Sequence, residues 1–125
     1  MSMRKHVLVV EADESVREIL MRSLWRAGYT FTTVSDGKEA WEFLYEGGKC
    51  DVIISDHEMP GMTGVELLCY VRSYKRTNKI PFALLSGRAT VSEENHTSLV
   101  AVCLMLSATF CPKPCNYALI AQLLG

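Results

Sequence analysis

A chain of 125 residues, 49% of them hydrophobic, is long enough for one domain with a substantial core, residues 1–125. A formal charge of −1, with no long block of one sign, argues against direct nucleic-acid binding. Five irregularly spaced cysteines exclude a complete disulfide framework.

Val7 to Val10 is a short apolar run that predicts a strand. It stops at Glu11, too soon for a secretion signal. Residues 14–27 predict a helix with Val16, Ile19, Leu20, Leu24 and Ala27 on one face and Gly28 as its stop. Phe31 to Val34 predicts the second strand. Lys38 to Tyr45 predicts the second helix, with Ala40, Trp41 and Leu44 apolar and Gly47-Gly48 ending it. Trp25 and Trp41 are expected to pack.

Val52 to Ser55 predicts the third strand. Gly64 to Ser73 follows as a helix that buries Leu67, Leu68 and Val71. The basic stretch from Arg72 to Lys79 is expected to be a solvated helix end and loop. Phe82 to Leu85 is the fourth strand, and a polar loop leads to a helix from Glu93. Thr109 to Cys111 is a short fifth strand. Asn116 to Leu124 closes the chain as a helix, with Asn116 as N-cap. Leu99 to Leu106 is strongly apolar but too short to span a bilayer, so membrane insertion is not expected. Cys111 and Cys115 lack the two-residue spacing of redox and zinc motifs, and they read as ordinary thiols in a reducing, cytoplasmic setting.

Strand and helix alternate five times, and several strands are runs of Val, Ile and Leu without polar alternation. Such strands are buried on both faces, as in a parallel sheet covered by helices. The right-handed crossover rule then favours a doubly wound α/β fold. Ligands bind there beyond the carboxyl ends of the strands. Those ends carry Glu11 and Asp13, Asp56, Ser86 and Lys113.

Two readings are open for each of these residues. Asp56 before Pro60-Gly61 is a turn former, or a carboxylate nucleophile toward a phosphoryl group. Lys113 is a solvated cation, or a partner for developing phosphoryl charge. Glu11 and Asp13 open the first helix, or help to hold a divalent cation, for which magnesium is suited. Ser86 is an ordinary strand exit, or a hydrogen-bond donor to a phosphoryl oxygen. Their joint placement at one sheet edge favours the phosphoryl readings.

The stretches VLVVEADESVREIL, VSDGKEAWEFL, DVIISDHEMPGMTGVELL, IPFALLSG and FCPKP cover almost the whole chain. On them the sequence resembles the receiver domain of two-component response regulators, of the stand-alone chemotaxis-regulator kind. The resemblance implies a flavodoxin-like, five-stranded parallel sheet of order 2-1-3-4-5 with helices on both faces. It implies a phosphoprotein of phosphorelay signal transduction, with Asp56 as phosphoacceptor for a histidine kinase or phosphotransfer protein. Its own chemistry would be limited to self-phosphorylation and self-dephosphorylation. Ser86 takes the hydroxyl switch position, Phe110 the aromatic switch position and Lys113 the lysine position. Magnesium would lie on Glu11, Asp56 and the backbone carbonyl of Glu58. Output would pass to a downstream protein target through helix four, strand five and helix five.

Two features depart from that pattern. Ala12 stands where the resemblance implies a carboxylate touching the metal, so magnesium binding is expected to be weak, with Asp13 a substitute ligand. Residues 97–112 carry no charged side chain, so the fourth helix shows no polar stripe. That helix is either packed back on its own domain or part of a partner surface, including a homodimer. The alternative to a phosphoacceptor is a degenerate pseudo-receiver, an interaction or dimerisation module independent of phosphate. A nucleotide or flavin binder is disfavoured, because the first strand leads into acidic residues rather than a glycine-rich loop.

Overall fold

Apolar strands with no polar alternation must be covered on both sides, and this chain does so with helices on each face of one sheet. The computed structural model describes residues 4–87 and 93–124. Strands β1 (His6–Val10), β2 (Thr30–Val34), β3 (Val52–Asp56), β4 (Phe82–Gly87) and β5 (Thr109–Lys113) are all parallel, in the order β2-β1-β3-β4-β5. Helices α1 (Glu14–Arg26), α2 (Gly37–Tyr45), α3 (Gly64–Ser73), α4 (Glu93–Met105) and α5 (Tyr117–Leu124) connect or follow them. The doubly wound fold and the strand order are those expected.

Alternate strand residues divide the core. Leu8, Val10, Ile53, Phe82 and Leu84 meet Ala40 and Leu44 of α2, Leu67, Leu68 and Val71 of α3, and Leu99 and Cys103 of α4. Val7, Val9, Val52, Ile54, Ala83 and Leu85 meet Leu20 and Leu24 of α1 and Ile120 and Ala121 of α5. The helix starts are capped: Asp13 accepts from the Val16 amide, Asp36 from Glu39, and Thr63 forms a capping box with Glu66. The Asn116 Oδ1 likewise accepts from the Leu119 amide.

Several expectations are corrected. Ile19 is 61% exposed and Ala27 is exposed, so the α1 seam is narrower than its apolar residues suggested. Trp25 is 66% exposed and does not pack in the core, whereas Trp41 stacks among Tyr45, Tyr70 and Tyr74. The basic stretch from Arg72, in the last turn of α3, to Lys79 is not simply solvated. Arg72 donates to the carbonyls of Leu106, Ile80 and Ser107, and Arg76 to those of Leu44 and Tyr45. Guanidinium forks satisfy loop and helix-end carbonyls that a flexible ammonium would hold less firmly.

Strand β5 runs two residues past its expected end, through Pro112 to Lys113, at the sheet edge. In α4 the apolar stretch is packed on its own domain only in part. Leu99 and Cys103 are buried, while Leu104 and Met105 are 76% and 83% exposed. The helix ends at Met105, and Ser107 in the turn after it has a left-handed φ of 54°. Part of the polar loop expected after Ser86 lies outside the described residues. Among the described residues no helix is long and apolar enough to cross a membrane. The five cysteines are unpaired.

Candidate functional site

The parallel register brings the strand ends together. Val10 pairs with Ser55, Asp56 with Leu85, Ser86 with Pro112 and Gly87 with Lys113. Glu11, Asp56, Ser86 and Lys113 therefore lie at one edge, and three of them are nearly inaccessible: Glu11 is 2%, Asp56 6% and Ser86 1% exposed. Lys113 Nζ stands 3.0 Å from Asp56 Oδ1 and 3.2 Å from Glu11 Oε1.

Burial, together with the hydrogen-bonded and repelling Glu11 carboxyl, raises the Asp56 pKa to about 7 against the pull of Lys113. Burial lowers the Lys113 pKa, but Asp56 and Glu11 outweigh it and the net shift is upward. Both values rise: for the aspartate, burial and a like charge outweigh one cation, and for the lysine, two carboxylates outweigh its burial.

Backbone groups complete the pocket. The His57 amide donates to Asp56 Oδ1 at 3.0 Å and to the Leu85 carbonyl at 2.8 Å. Arg17 Nη1 donates to the Glu11 carbonyl at 2.8 Å, tying α1 to the end of β1. Gly64, at the start of α3, sits so close that a Cβ would lie 2.4 Å from the Asp56 carbonyl and 2.8 Å from His57 Cα. No side chain other than hydrogen fits there. The His57 ring does not stand free over the pocket: its Nδ1 accepts from the Val65 amide at 3.4 Å, and burial lowers its pKa.

Asp13 is exposed and serves as the α1 cap, accepting from Val16 at 3.1 Å, rather than joining the carboxylate pair. Ala12 is exposed and brings no donor atom. Phe110 is half-buried on β5, opposite Leu84, packed against the core cluster of α2, α3 and α4. Glu58 was named in the sequence for its backbone carbonyl, yet its side chain is engaged as well. Ser86 Oγ donates to Glu58 Oε1 at 2.5 Å. No spacing rule could have announced that bond, nor the His57 amide contact, because both depend on how the loop from β3 to α3 folds back.

Among the described residues no three His, Cys, Asp or Glu side chains are grouped to hold a metal. Two adjacent buried carboxylates still fit magnesium, which commonly takes one or two carboxylates and keeps several waters. The repulsion that raises Asp56 is the kind a divalent cation relieves.

Residues 7–122 match the response regulator receiver domain. The chain is 30% identical over 121 residues to an uncharacterized transcriptional regulatory protein, YrkP, of Bacillus subtilis, covering 97% of this chain and 50% of that protein. It is 34% identical over 119 residues to the two-component response regulator ORR3 of Oryza sativa, covering 94% of this chain and 86% of that protein. It spans only 18% of a two-component response regulator-like protein of Arabidopsis thaliana, which it matches at 34% identity. Among solved structures, the chemotaxis response regulator CheY4 of Vibrio cholerae superposes with a TM-score of 0.78 at 30% identity, covering 98% of this chain and 97% of that one. With the sheet order, the edge constellation and these likenesses in agreement, the chain belongs to the receiver domains of two-component response regulators and functions in phosphorelay signalling.

Proposed function

We propose that Asp56 is the phosphoacceptor and that residues 1–125 act as a single receiver unit working through protein contacts. A carboxylate oxygen attacks the phosphorus of a kinase or phosphotransfer phosphohistidine. The P–N bond breaks with its electron pair going to the imidazole, and an acyl phosphate results. Water later attacks the same phosphorus to release inorganic phosphate. The observation that carries this reading is the Lys113 ammonium, 3.0 Å from Asp56 and 3.2 Å from Glu11 at the strand ends. It keeps a buried carboxylate available as an anion and is placed to neutralise charge developing on phosphoryl oxygens. Ser86 Oγ and the His57 amide are the nearby donors for those oxygens.

Receiver domains generally bind magnesium at the phosphoacceptor site. In this chain Glu11, Asp56 and the Glu58 carbonyl would hold it, with water filling the place that Ala12 leaves. When bound, it supplies further neutralisation of phosphoryl charge. Lys113 is then the positioned cation that the chain itself always provides. Phosphoryl-driven movement of Ser86 and Phe110 would be read out on α4, β5 and α5, where Leu104, Met105 and Leu119 are 76%, 83% and 48% exposed. That face suits a protein target or a second copy of the chain.

Mass spectrometry after incubation with a small phosphodonor, or a cognate kinase, and magnesium tests the reading. The native chain should gain one phosphoryl mass, and Asp56→Asn should not. The second reading, a pseudo-receiver held by partners instead of phosphate, is favoured by Ala12 alone. Absence of any mass gain from either donor would favour it over the first.

A further inference from the structure

The hydroxyl expected to meet a phosphoryl oxygen is already committed. Ser86 Oγ donates to the carboxylate of Glu58. Ser86 is 1% exposed, so water has little access to replace that partner. A serine hydroxyl has one proton to donate. It cannot serve Glu58 and a phosphoryl oxygen at the same time.

The competitor stands beside the reacting group. Glu58 lies two residues beyond Asp56, on the loop between β3 and α3, and is half-buried. A phosphoryl group on Asp56 would bring about two negative charges next to it. Like charge and a shared donor then make two arrangements mutually exclusive: Ser86 on Glu58, or Ser86 on the phosphoryl group. Hydrogen bonds to ionised acceptors are the strong ones, so the first arrangement has real standing.

We propose that the Glu58 carboxylate is an internal competitor for the Ser86 hydroxyl, a latch that holds the unphosphorylated arrangement and must release before Ser86 can turn. The proposal rests on Asp56 being the phosphoacceptor and deepens that reading by naming how its resting state is held. The latch uses the Glu58 side chain, whereas the metal reading uses its backbone carbonyl, and substitution separates the two. Phosphoryl capture is weakened by the bond that must break, and the unphosphorylated population is kept from straying toward the switched arrangement.

The test titrates the phosphoryl analogue beryllium trifluoride, with magnesium, into the native chain and into Glu58→Gln, Glu58→Ala, Ser86→Ala and the Glu58→Gln/Ser86→Ala pair. Thermal denaturation first confirms that each is folded. Both Glu58 variants should bind about threefold to tenfold more tightly than native, the range expected from losing one charge-assisted competitor. In the Ser86→Ala background the gain should vanish. Without any ligand, the Ser86 and Gly87 amide resonances should shift in Glu58→Gln. Unchanged affinity in both Glu58 variants, with normal native binding, would overturn the latch and leave the phosphoacceptor reading intact. A gain that survives in the Ser86→Ala background would also overturn it, since simple charge repulsion would then suffice. A native chain that neither binds the analogue nor gains phosphoryl mass would instead overturn the phosphoacceptor reading itself.

Discussion

At the scale of single residues, Asp56 links chemistry to stability. Its pKa is raised from 3.8 in the unfolded reference to about 7 in the fold, first by burial and then by Glu11. The folded state therefore binds the proton more tightly than the unfolded chain. The contribution is fully present below about pH 4 and is lost as pH rises through about 7. In metal-free buffer, Asp56→Asn should gain on the native protein by about 2–4 kcal/mol between pH 4 and pH 8. Urea denaturation across that range measures it, and a constant difference would refute the linkage. Ala12→Asp should bind magnesium about tenfold more tightly than the native chain, by adding a carboxylate to an oxygen-ligand site. Equal affinities by calorimetric titration would show that Ala12 is not the missing ligand position. The sequence disclosed Asp56, Glu11 and Lys113 because each lies at a strand end, where topology alone dictates convergence. It hid the Glu58 carboxylate, whose bond to Ser86 depends on loop geometry rather than periodicity.

At the scale of elements, the start and stop chemistry explains why the boundaries were readable. Gly28 and Gly47 take φ of 90° and 100° after α1 and α2, and glycine does this at little cost. Helix α4 uses Ser107 for the same turn, at φ 54°, with the Ala108 amide donating to the Cys103 carbonyl at 2.8 Å. Relieving a left-handed serine should stabilise the protein, so Ser107→Gly is expected to raise unfolding free energy by about 1 kcal/mol. Chemical denaturation checks this, and a loss of stability would mean that the serine side chain contributes more than its backbone costs. The exposed faces were less readable. Ile19 and Trp25 carry the apolar signature of a buried stripe, yet only Leu20 and Leu24 of α1 are buried. Hydrophobic spacing gives the direction of a helix face, but the width of the seam depends on the neighbour, here α5, which is only eight residues long.

At the scale of the whole molecule, the face of the sheet covered by α2, α3 and α4 is held together by an arginine. Arg72 fastens the end of α3 to the turn after α4 and to the loop before β4 through three carbonyls. The segment entering β5 is thus anchored from the neighbouring helix, while Leu104 and Met105 project away from it. If that apolar face is covered by a second copy, sedimentation should show concentration-dependent dimers that Leu104→Lys abolishes. A strict monomer at high concentration would leave either a different protein as the partner or a face that nothing covers.

The proline in β5 restricts what form such a pairing can take. β5 is the outermost strand on its side, and Pro112 interrupts its row of amide donors. A strand from another molecule could not zip along that border with an unbroken ladder, so the sheet is closed to growth there. Any assembly at this border would have to rest on side chains rather than on a continued backbone ladder.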